Sequence, residues 1–381
     1  MAISFLYREG PAERLKRLKL PAVRKESNSS RLDSLCRQSY CCQAALIKSR
    51  FVLKQQITTV MNPAFHRSMP VNTIAGVVPT LIAVIDKYEG KVPVTSIMQV
   101  FTLDVLGLAI FSKFRFWVLK GDAEKWRAEY KLVMGTLFDP VTNVFTGLDF
   151  LLRYVCPKRI RGAKAVNNLN KLFDQLVKEK RLEVQNGVHV NKPQDEKDLL
   201  TLMLEAKQRG EAMTTDMETG HNVVVFFLAG HESTAYALSF ILYFLAKNMQ
   251  VQQKLREEVD RVMGRESVDA APTLEELSQM EYFIFDVLVL RHTVEDMYLD
   301  DTFIPKDTRI TVDVSAIQRD SKVWNRPDDF IPERFMEGGE AIGHEGMAWL
   351  PFGGGARQCI GMNFSLTEQK VALAMLGFDS L

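Results

Sequence analysis

Apolar residues recur at helical spacing through most of the chain from Asn72 to Arg291, and this period predicts a succession of helices. Ser96–Phe111 is apolar on most sides, which predicts a buried helix. Ala163–Leu182 places Val166, Leu169, Leu172, Phe173 and Leu176 on one helical face. Asn186–Gly187 and the polar residues up to Lys197 predict a loop, followed by a short helix over Asp198–Gln208. Val223–Leu245 is the most apolar segment and is long enough to cross a bilayer. Its centre carries Gly230, His231, Glu232, Ser233 and Thr234, and a carboxylate at mid-membrane is costly, so a buried core helix is expected instead. Gln253–Met263 reads as a charged amphipathic helix. Thr273 and Glu276 fit a capping box that opens a helix expected from Leu274 to about Leu290. The period then changes. Thr308–Val314 alternates as a short strand, the residues up to Glu345 are turn-rich, and Leu366–Leu376 is helical again. The fold class that follows is mainly α with a small β region.

Composition narrows the classes. Hydrophobic residues are 46% and charged residues 25% of the 381, which excludes whole-chain disorder, collagen and a multi-span membrane protein. Lys+Arg 48 against Asp+Glu 47 gives a net charge of +1, so no nucleic-acid partner is expected. A chain of this length buries a sizeable core without disulfides. The five cysteines are Cys36, Cys41, Cys42, Cys156 and Cys359, scattered and without a CxxC pair, which reads as a reducing compartment or thiols facing the cytosol. Residues 1–50 hold eleven Lys/Arg against four Asp/Glu and a Ser-rich patch at Ser27–Ser30. They faintly resemble a mitochondrial transit peptide, and a solvated tail is the plainer expectation. No apolar run opens the chain, so neither a signal peptide nor an N-terminal anchor is expected. The division expected is an atypical basic segment over 1–55 and one domain over 56–381.

The chemistry lies near the end. His231-Glu232 and His344-Glu345 lack the second histidine of a zinc HExxH motif, and Phe352-Gly353-Gly354-Gly355 is followed by no Lys-Ser/Thr and so is no phosphate loop. What stands out is Phe352-Gly353-Gly354-Gly355-Ala356-Arg357-Gln358-Cys359-Ile360-Gly361. Its glycines let a backbone run close to something flat. Arg357 offers a fixed cation for a carboxylate. Cys359 precedes a helix, whose free N–H groups and positive dipole end favour a thiolate. Such a thiolate suits an axial metal ligand or a nucleophile. A buried free cysteine beside a tight turn is the plain alternative.

This string resembles the heme-binding signature of the cytochrome P450 family, F-x-x-G-x-R-x-C-x-G, with Phe352, Gly355, Arg357, Cys359 and Gly361 at every fixed position. Ala229-Gly230-His231-Glu232-Ser233-Thr234 is similar to the family's central-helix motif, Pro332-Glu333-Arg334-Phe335 to its P-E-R-F meander, and Phe303-Ile304-Pro305-Lys306 to the strand before that. Asn62-Pro63-Ala64-Phe65 and Asp104-Val105-Leu106-Gly107 resemble its earlier helices, so the likeness covers roughly residues 60 to 381. The resemblance implies heme b with Cys359 as the axial iron ligand, Arg357 and Arg291 on heme propionates, and Phe352 shielding the thiolate. Ala229 and Gly230 would border the cofactor, and Glu232, Ser233 and Thr234 would deliver protons. Gly230, which costs about 1 kcal/mol relative to Ala in a helix, would open room for a ligand. The reaction implied is a monooxygenation. One atom of O2 enters an apolar small-molecule substrate and the other leaves as water, with electrons from NADPH through NADPH-cytochrome P450 reductase. Eukaryotic members imply the endoplasmic reticulum membrane, although no anchor is read here, and the cytoplasm is the alternative.

The sequence also departs from the family, so an incomplete version of its fold is expected. An E-x-x-R pair precedes the strand in the family and pairs with the meander arginine, here Arg334. Residues Tyr282–Arg291 contain no such pair, and Arg291, 14 residues before Pro305, matches a later arginine. A deletion of roughly ten residues near Leu288 is thus expected. Loss of its partners would cost Arg334 about 3–5 kcal/mol. A W-x-x-x-R motif is replaced by Lys54 and Thr58, and the family's first and closing strands are not found in the 381 residues. Ser233 stands where the family has Thr and keeps the hydroxyl. Two further functions stay open: an incomplete or catalytically impaired heme-binding member, and a helical protein with a reactive thiol and no heme.

Overall fold

A computed structural model of the chain describes residues 69–88, 91–112, 123–137, 156–189, 191–194, 196–211, 216–264, 271–280, 289–293, 295–344, 347–355 and 358–376. All of them belong to the larger of two units, Cys42–Leu381. The readings of residues 1–55 and of Asn62–Phe65 lie outside the described residues.

The helices are α1 Val71–Ala75, α2 Val78–Ile85, α3 Val94–Phe111, α4 Ala123–Leu137, α5 Pro157–Gln185, α6 Leu199–Gln208, α7 Asp216–Lys247, α8 Met249–Met263, α9 Leu274–Ser278, α10 Val314–Gln318 and α11 Met362–Leu376. Two antiparallel strand pairs join them. Strand β1 Val289–His292 pairs with β4 Arg309–Val312, and β2 Met297–Leu299 with β3 Thr302–Ile304. The mainly helical fold with a little sheet is as expected.

Local chemistry sets many boundaries. Pro93 precedes α3, and Ser112 ends it in the left-handed region at φ 56°. Pro157 stands in the first turn of α5, where its missing N–H is no loss. Asp198 caps α6 by accepting the Thr201 N–H at 2.9 Å, and its carboxylate also accepts from the buried Lys180 at 3.1 Å. The expected capping box is present: Thr273 Oγ1 accepts the Glu276 N–H, and Glu276 accepts the Thr273 N–H at 2.6 Å.

The helix that this box opens is shorter than expected. It ends at Ser278, and Val289–Leu290, expected at its end, lie in the strand Val289–His292 instead. Val289 lies opposite Val312 and Arg291 opposite Ile310. Cross-strand pairing with a β-branched partner strand overrides the local helical period here. Asp313 then caps α10 by accepting the Ala316 N–H, so Val314 is helical and not the end of a strand. Helix α11 starts one turn earlier than its apolar period suggested, three residues after Cys359.

Two apolar clusters build the core. One gathers α1–α3, the second half of α7, α8, α9 and α11, and the other gathers α3, α5, α6 and the first half of α7. Helices α3 and α7 serve both clusters. On α3, 13 of 18 residues are buried, as its apolar surround predicted. On α5 the buried seam is Ala165, Leu169, Phe173 and Val177, spaced four apart, while Val166 and Leu176 flank it partly buried. The expected face is right to within a small rotation. Phe173 sits between Phe111 and Phe227, with ring centroids 5.7 and 5.0 Å away. A fully buried side chain of this kind contributes about 1.5–3 kcal/mol. Val94–Phe111 and Asn222–Lys247 are both long and apolar enough to cross a membrane, and the most apolar windows are 72% and 44% buried inside the protein. The carboxylate-bearing centre of α7 packs on α3, as a core helix should.

Candidate active site

The loop before α11 is shaped by glycine. Gly353 and Gly355 adopt φ 69° and 65°, a region that side chains with a Cβ rarely enter. A Cβ on Gly354 would lie 3.0 Å from the Leu350 side chain, so this glycine allows a close approach. The Cys359 N–H donates to the Phe352 carbonyl at 2.8 Å and closes the loop, which brings the two predicted site residues together. Helix α11 begins directly after Gly361.

Cys359 is exposed by its surface, yet enough protein surrounds the sulfur for desolvation to push the thiol up. The Gly361 N–H, donating to the sulfur, offsets this only in part. A raised thiol pKa disfavours the free thiolate and weighs against the reactive-thiol reading, contrary to the thiolate expected from the helix start alone. A metal cation reverses the balance, because coordination deprotonates a thiol outright. One sulfur supplies one ligand, which suits a group that brings its other ligands with it. The open glycine backbone beside the sulfur suits a flat group. The residues present therefore fit heme. Arg357 lies outside the described residues. Arg291 is placed by its backbone on β1, in the pair with β4.

The second set of predicted residues lies on α7. Ala229 and Ser233 are exposed, Glu232 is half-buried, and Thr234 is 2% exposed. Ser233 Oγ donates to the Ala229 carbonyl at 2.8 Å, and Thr234 Oγ1 to the Gly230 carbonyl at 3.0 Å. From α3, Thr102 Oγ1 lies 2.9 Å from the His231 carbonyl and 3.0 Å from the Met98 carbonyl of its own helix, which share its one proton. Three consecutive carbonyls of α7 thus take side-chain hydroxyls, which loosens their grip on the helix ladder around Glu232. Burial pushes the Glu232 carboxyl up, so it keeps its proton to higher pH than a free glutamate. His231 is buried, with Nδ1 against the Phe227 carbonyl at 2.9 Å and the Tyr130 ring edge-on at 4.5 Å. Desolvation lowers its pKa to about 4, so it is neutral and Nδ1 is the donor. Tyr130 is pushed well above its usual value, first by burial and then by Glu232 and Tyr236.

Gly230 has a use that its sequence context did not reveal. A Cβ there would meet the Leu106 side chain of α3 at 3.1 Å. The missing side chain lets α3 and α7 approach, and Leu106 belongs to the Asp104–Gly107 stretch singled out by resemblance. The space on that side is filled by leucine.

The two sets are joined. Thr234 Oγ1 lies 2.9 Å from Ser365 Oγ on α11, and Gln369 Nε2 donates to the same Ser365 oxygen at 2.9 Å. The sequence pattern did not single out Thr102, Ser365 or Gln369. The signal available was a hydroxyl in an otherwise apolar stretch, which marks Thr102 but not its partner.

The meander closes differently from expectation. Arg334 is buried in a 3₁₀ turn over Pro332–Phe335, yet it has partners. It donates to the Glu340 carboxylate and to the carbonyls of Asn325 and Arg326. The expected cost of an unpaired Arg334 is corrected by these groups, which lie within nine residues and keep the guanidinium satisfied. Glu340 is held below the usual carboxylate range, first by the Asn325 N–H and also by Arg334. A cavity of about 740 Å³ separates this turn from α7, with Ser233, Tyr236, Phe240, Phe244, Arg334 and Trp349 among its walls.

A family model described as Cytochrome P450 matches residues 35–376. The chain is 33% identical over 252 residues to Cytochrome P450 3A5 of Homo sapiens, an alignment covering 62% of this chain and 46% of that protein. It is 27% identical over 336 residues to Cytochrome P450 4A6 of Oryctolagus cuniculus, covering 83% and 64%. The chain thus spans about half to two thirds of the length of these relatives. Among solved structures, the crystal structure of the cytochrome P450DA heme domain superposes with a TM-score of 0.68 at 24% identity, over 84% of this chain and 69% of that one. That likeness bears on the fold alone.

Proposed function

The chain belongs to the cytochrome P450 family, and from that premise we propose that it is a heme-thiolate monooxygenase acting through residues 56–381. The carrying observation is the joint between α7 and α11. It places the helix that follows Cys359 against the turn that carries Glu232, Ser233 and Thr234.

Cys359 would hold the iron of heme b, with Arg357 and Arg291 on the propionates, Ala229 and Gly230 bordering the cofactor, and Phe352 and Gly355 shaping the loop. When bound, heme supplies the iron that activates O2, and a thiolate ligand favours O–O cleavage. The Gly361 N–H steadies the sulfur in its charged form. Glu232, whose carboxyl burial pushes up, exchanges protons beside the loosened carbonyls, and the Ser233 and Thr234 hydroxyls carry them onward. One oxygen atom enters the substrate and the other leaves as water, with two electrons and two protons supplied.

The substrate in this reading is an apolar small molecule. Ala229, Ser233, Tyr236 and Phe240 follow one another at helical spacing along one exposed stripe of α7, apolar except for the serine and the tyrosine hydroxyl. A relative 25% identical, from Sus scrofa, is named a taurochenodeoxycholic 6 alpha-hydroxylase, which fits a small-molecule hydroxylation. NADPH-cytochrome P450 reductase is the electron donor in this reading, and the endoplasmic reticulum membrane its site of action.

The test is the reduced, carbon monoxide-bound difference spectrum of the full chain expressed with added heme. A long-wavelength Soret band is expected. No heme uptake, or only the shorter-wavelength band of a lost thiolate, would overturn the reading. A second reading, a heme binder without turnover, draws on the cavity beside Arg334. It predicts the long-wavelength band but no NADPH-dependent product when the reductase is added.

A further inference from the structure

We propose that Ser365 is a positioning residue, whose hydroxyl tethers the helix of Cys359 to the Gly230 turn of α7 and so holds the thiolate ligand in register with Glu232. The proposal rests on the monooxygenase reading.

The bridge is a short polar chain. Thr234 Oγ1 lies 3.0 Å from the Gly230 carbonyl and 2.9 Å from Ser365 Oγ, and either hydroxyl can donate across the latter contact. Ser365 Oγ accepts from Gln369 Nε2 at 2.9 Å. Gln369, Ser365, Thr234 and Gly230 are thus linked in series across the two helices.

Its two ends are packed. Gln369 is fully buried, Thr234 is 2% exposed, and Gly230 is pressed against Leu106. The Ser365 N–H donates to the Gly361 carbonyl at 2.9 Å in the first turn of α11, and Gly361 in turn donates to the Cys359 sulfur. A shift of Ser365 therefore moves the residue that contacts the sulfur. On the other side, release of Thr234 frees the Gly230 carbonyl, two residues from Glu232. Around the bridge the packing is apolar: Phe364 contacts both core clusters and Ile360 one of them. Within that apolar packing, the hydroxyl pair is the directional contact between the two helices.

The test uses S365A, T234V, the double variant and T234S in the full chain, with two readouts. In the ligand-free chain, hydrogen exchange is followed by mass spectrometry over residues 229–235 and 360–367. S365A is expected to speed exchange in both segments about fivefold, as befits one lost hydrogen bond, and T234V likewise. The double variant is expected to go no further than either single one, and T234S to stay at the wild-type rate. In the heme-loaded chain, S365A and T234V are expected to speed the conversion of the long-wavelength carbon monoxide band to the short-wavelength band by a similar factor, again with rescue by T234S. Exchange that changes only in the mutated segment, or effects that multiply in the double variant, would overturn the tether. Coupled exchange with an unaltered band would overturn its role in positioning the thiolate. If the wild-type chain takes up no heme, the monooxygenase reading fails, and the exchange data decide the tether by themselves.

Discussion

Leu238 and Phe240 lie two residues apart on α7, the first fully buried and the second 60% exposed. The same helix shows two kinds of neighbour. Toward α3 and α11 it is close-packed, with Gly230 against Leu106 and Thr234 bridged to Ser365. Toward the meander it presents Tyr236, Phe240 and Tyr243 to a cavity or to solvent, while Phe244 stacks on Phe330 with ring centroids 5.0 Å apart. The open side faces Arg334, the residue that the family resemblance pairs with a helix not found in this sequence. Val289 pairs with Val312, three residues before Ser315 in the cavity wall. The packed side joins α7 to the helix of Cys359, and the open side bears Ser233 and the cavity. The cavity lies on one face of the helix, while the contacts on its far face are close-packed. Helix packing is local in space.

Several changes would break or sharpen this contrast. The largest effect is expected from Cys359→Ala, which should abolish thiolate ligation on the packed side, seen as complete loss of the long-wavelength carbon monoxide band. Next, Leu238→Ala on the packed face should cost about 2–5 kcal/mol of stability, whereas Phe240→Ser on the open face should stay within about 0.5 kcal/mol. Equal costs in urea denaturation would show that the open face is covered. Arg334→Ala should cost about 3 kcal/mol, since it strips a donor from Glu340 and two carbonyls, and the same denaturation series checks it. Glu340→Gln should cost less, because both carbonyls keep their donor.

The smallest effects are graded with pH. His231 has a folded pKa of about 4 against 6.5 when free, so it binds fewer protons folded than unfolded. Its contribution is complete above pH 6.5 and is lost as the pH falls toward 4. Glu368 is fully buried on α11 with its carboxyl pushed well above 4.5, so its contribution runs the other way. It is complete below pH 4.5 and is lost as the pH rises through the folded value. The stability of wild type relative to Glu368→Gln is therefore expected to fall from pH 5 to pH 8, measured as the difference in denaturation midpoints. Equal slopes would mean that Glu368 has a partner when ionised.

Much of the site is legible in the order of residues, and for identifiable reasons. The Cys359 string carries its chemistry in adjacent residues: glycines that need positive φ, a sulfur before a helix, and a loop closed by the Cys359 N–H on Phe352. The capping box at Thr273 and the buried α3 likewise depend on residues within one or two turns. The roles of Gly230 and Arg334 are only half legible. Their positions follow from the motifs, but Leu106 and Glu340 as neighbours do not.

The sequence by itself determined the helical class, the family, the metal-ligand candidate and the acid-and-hydroxyl turn, because each is written in short-range patterns of side-chain type and spacing. Tertiary structure alone decided that Val289–His292 become a strand, that Thr102 takes a carbonyl 129 residues away, and that Ser365 meets Thr234 across 131 residues. The physical reason is the range of the interactions. Capping, propensity and turn strain act along the chain and leave a local mark, whereas a cross-helix hydroxyl or a strand partner is set by how whole faces pack, and nothing in the local sequence names the other side.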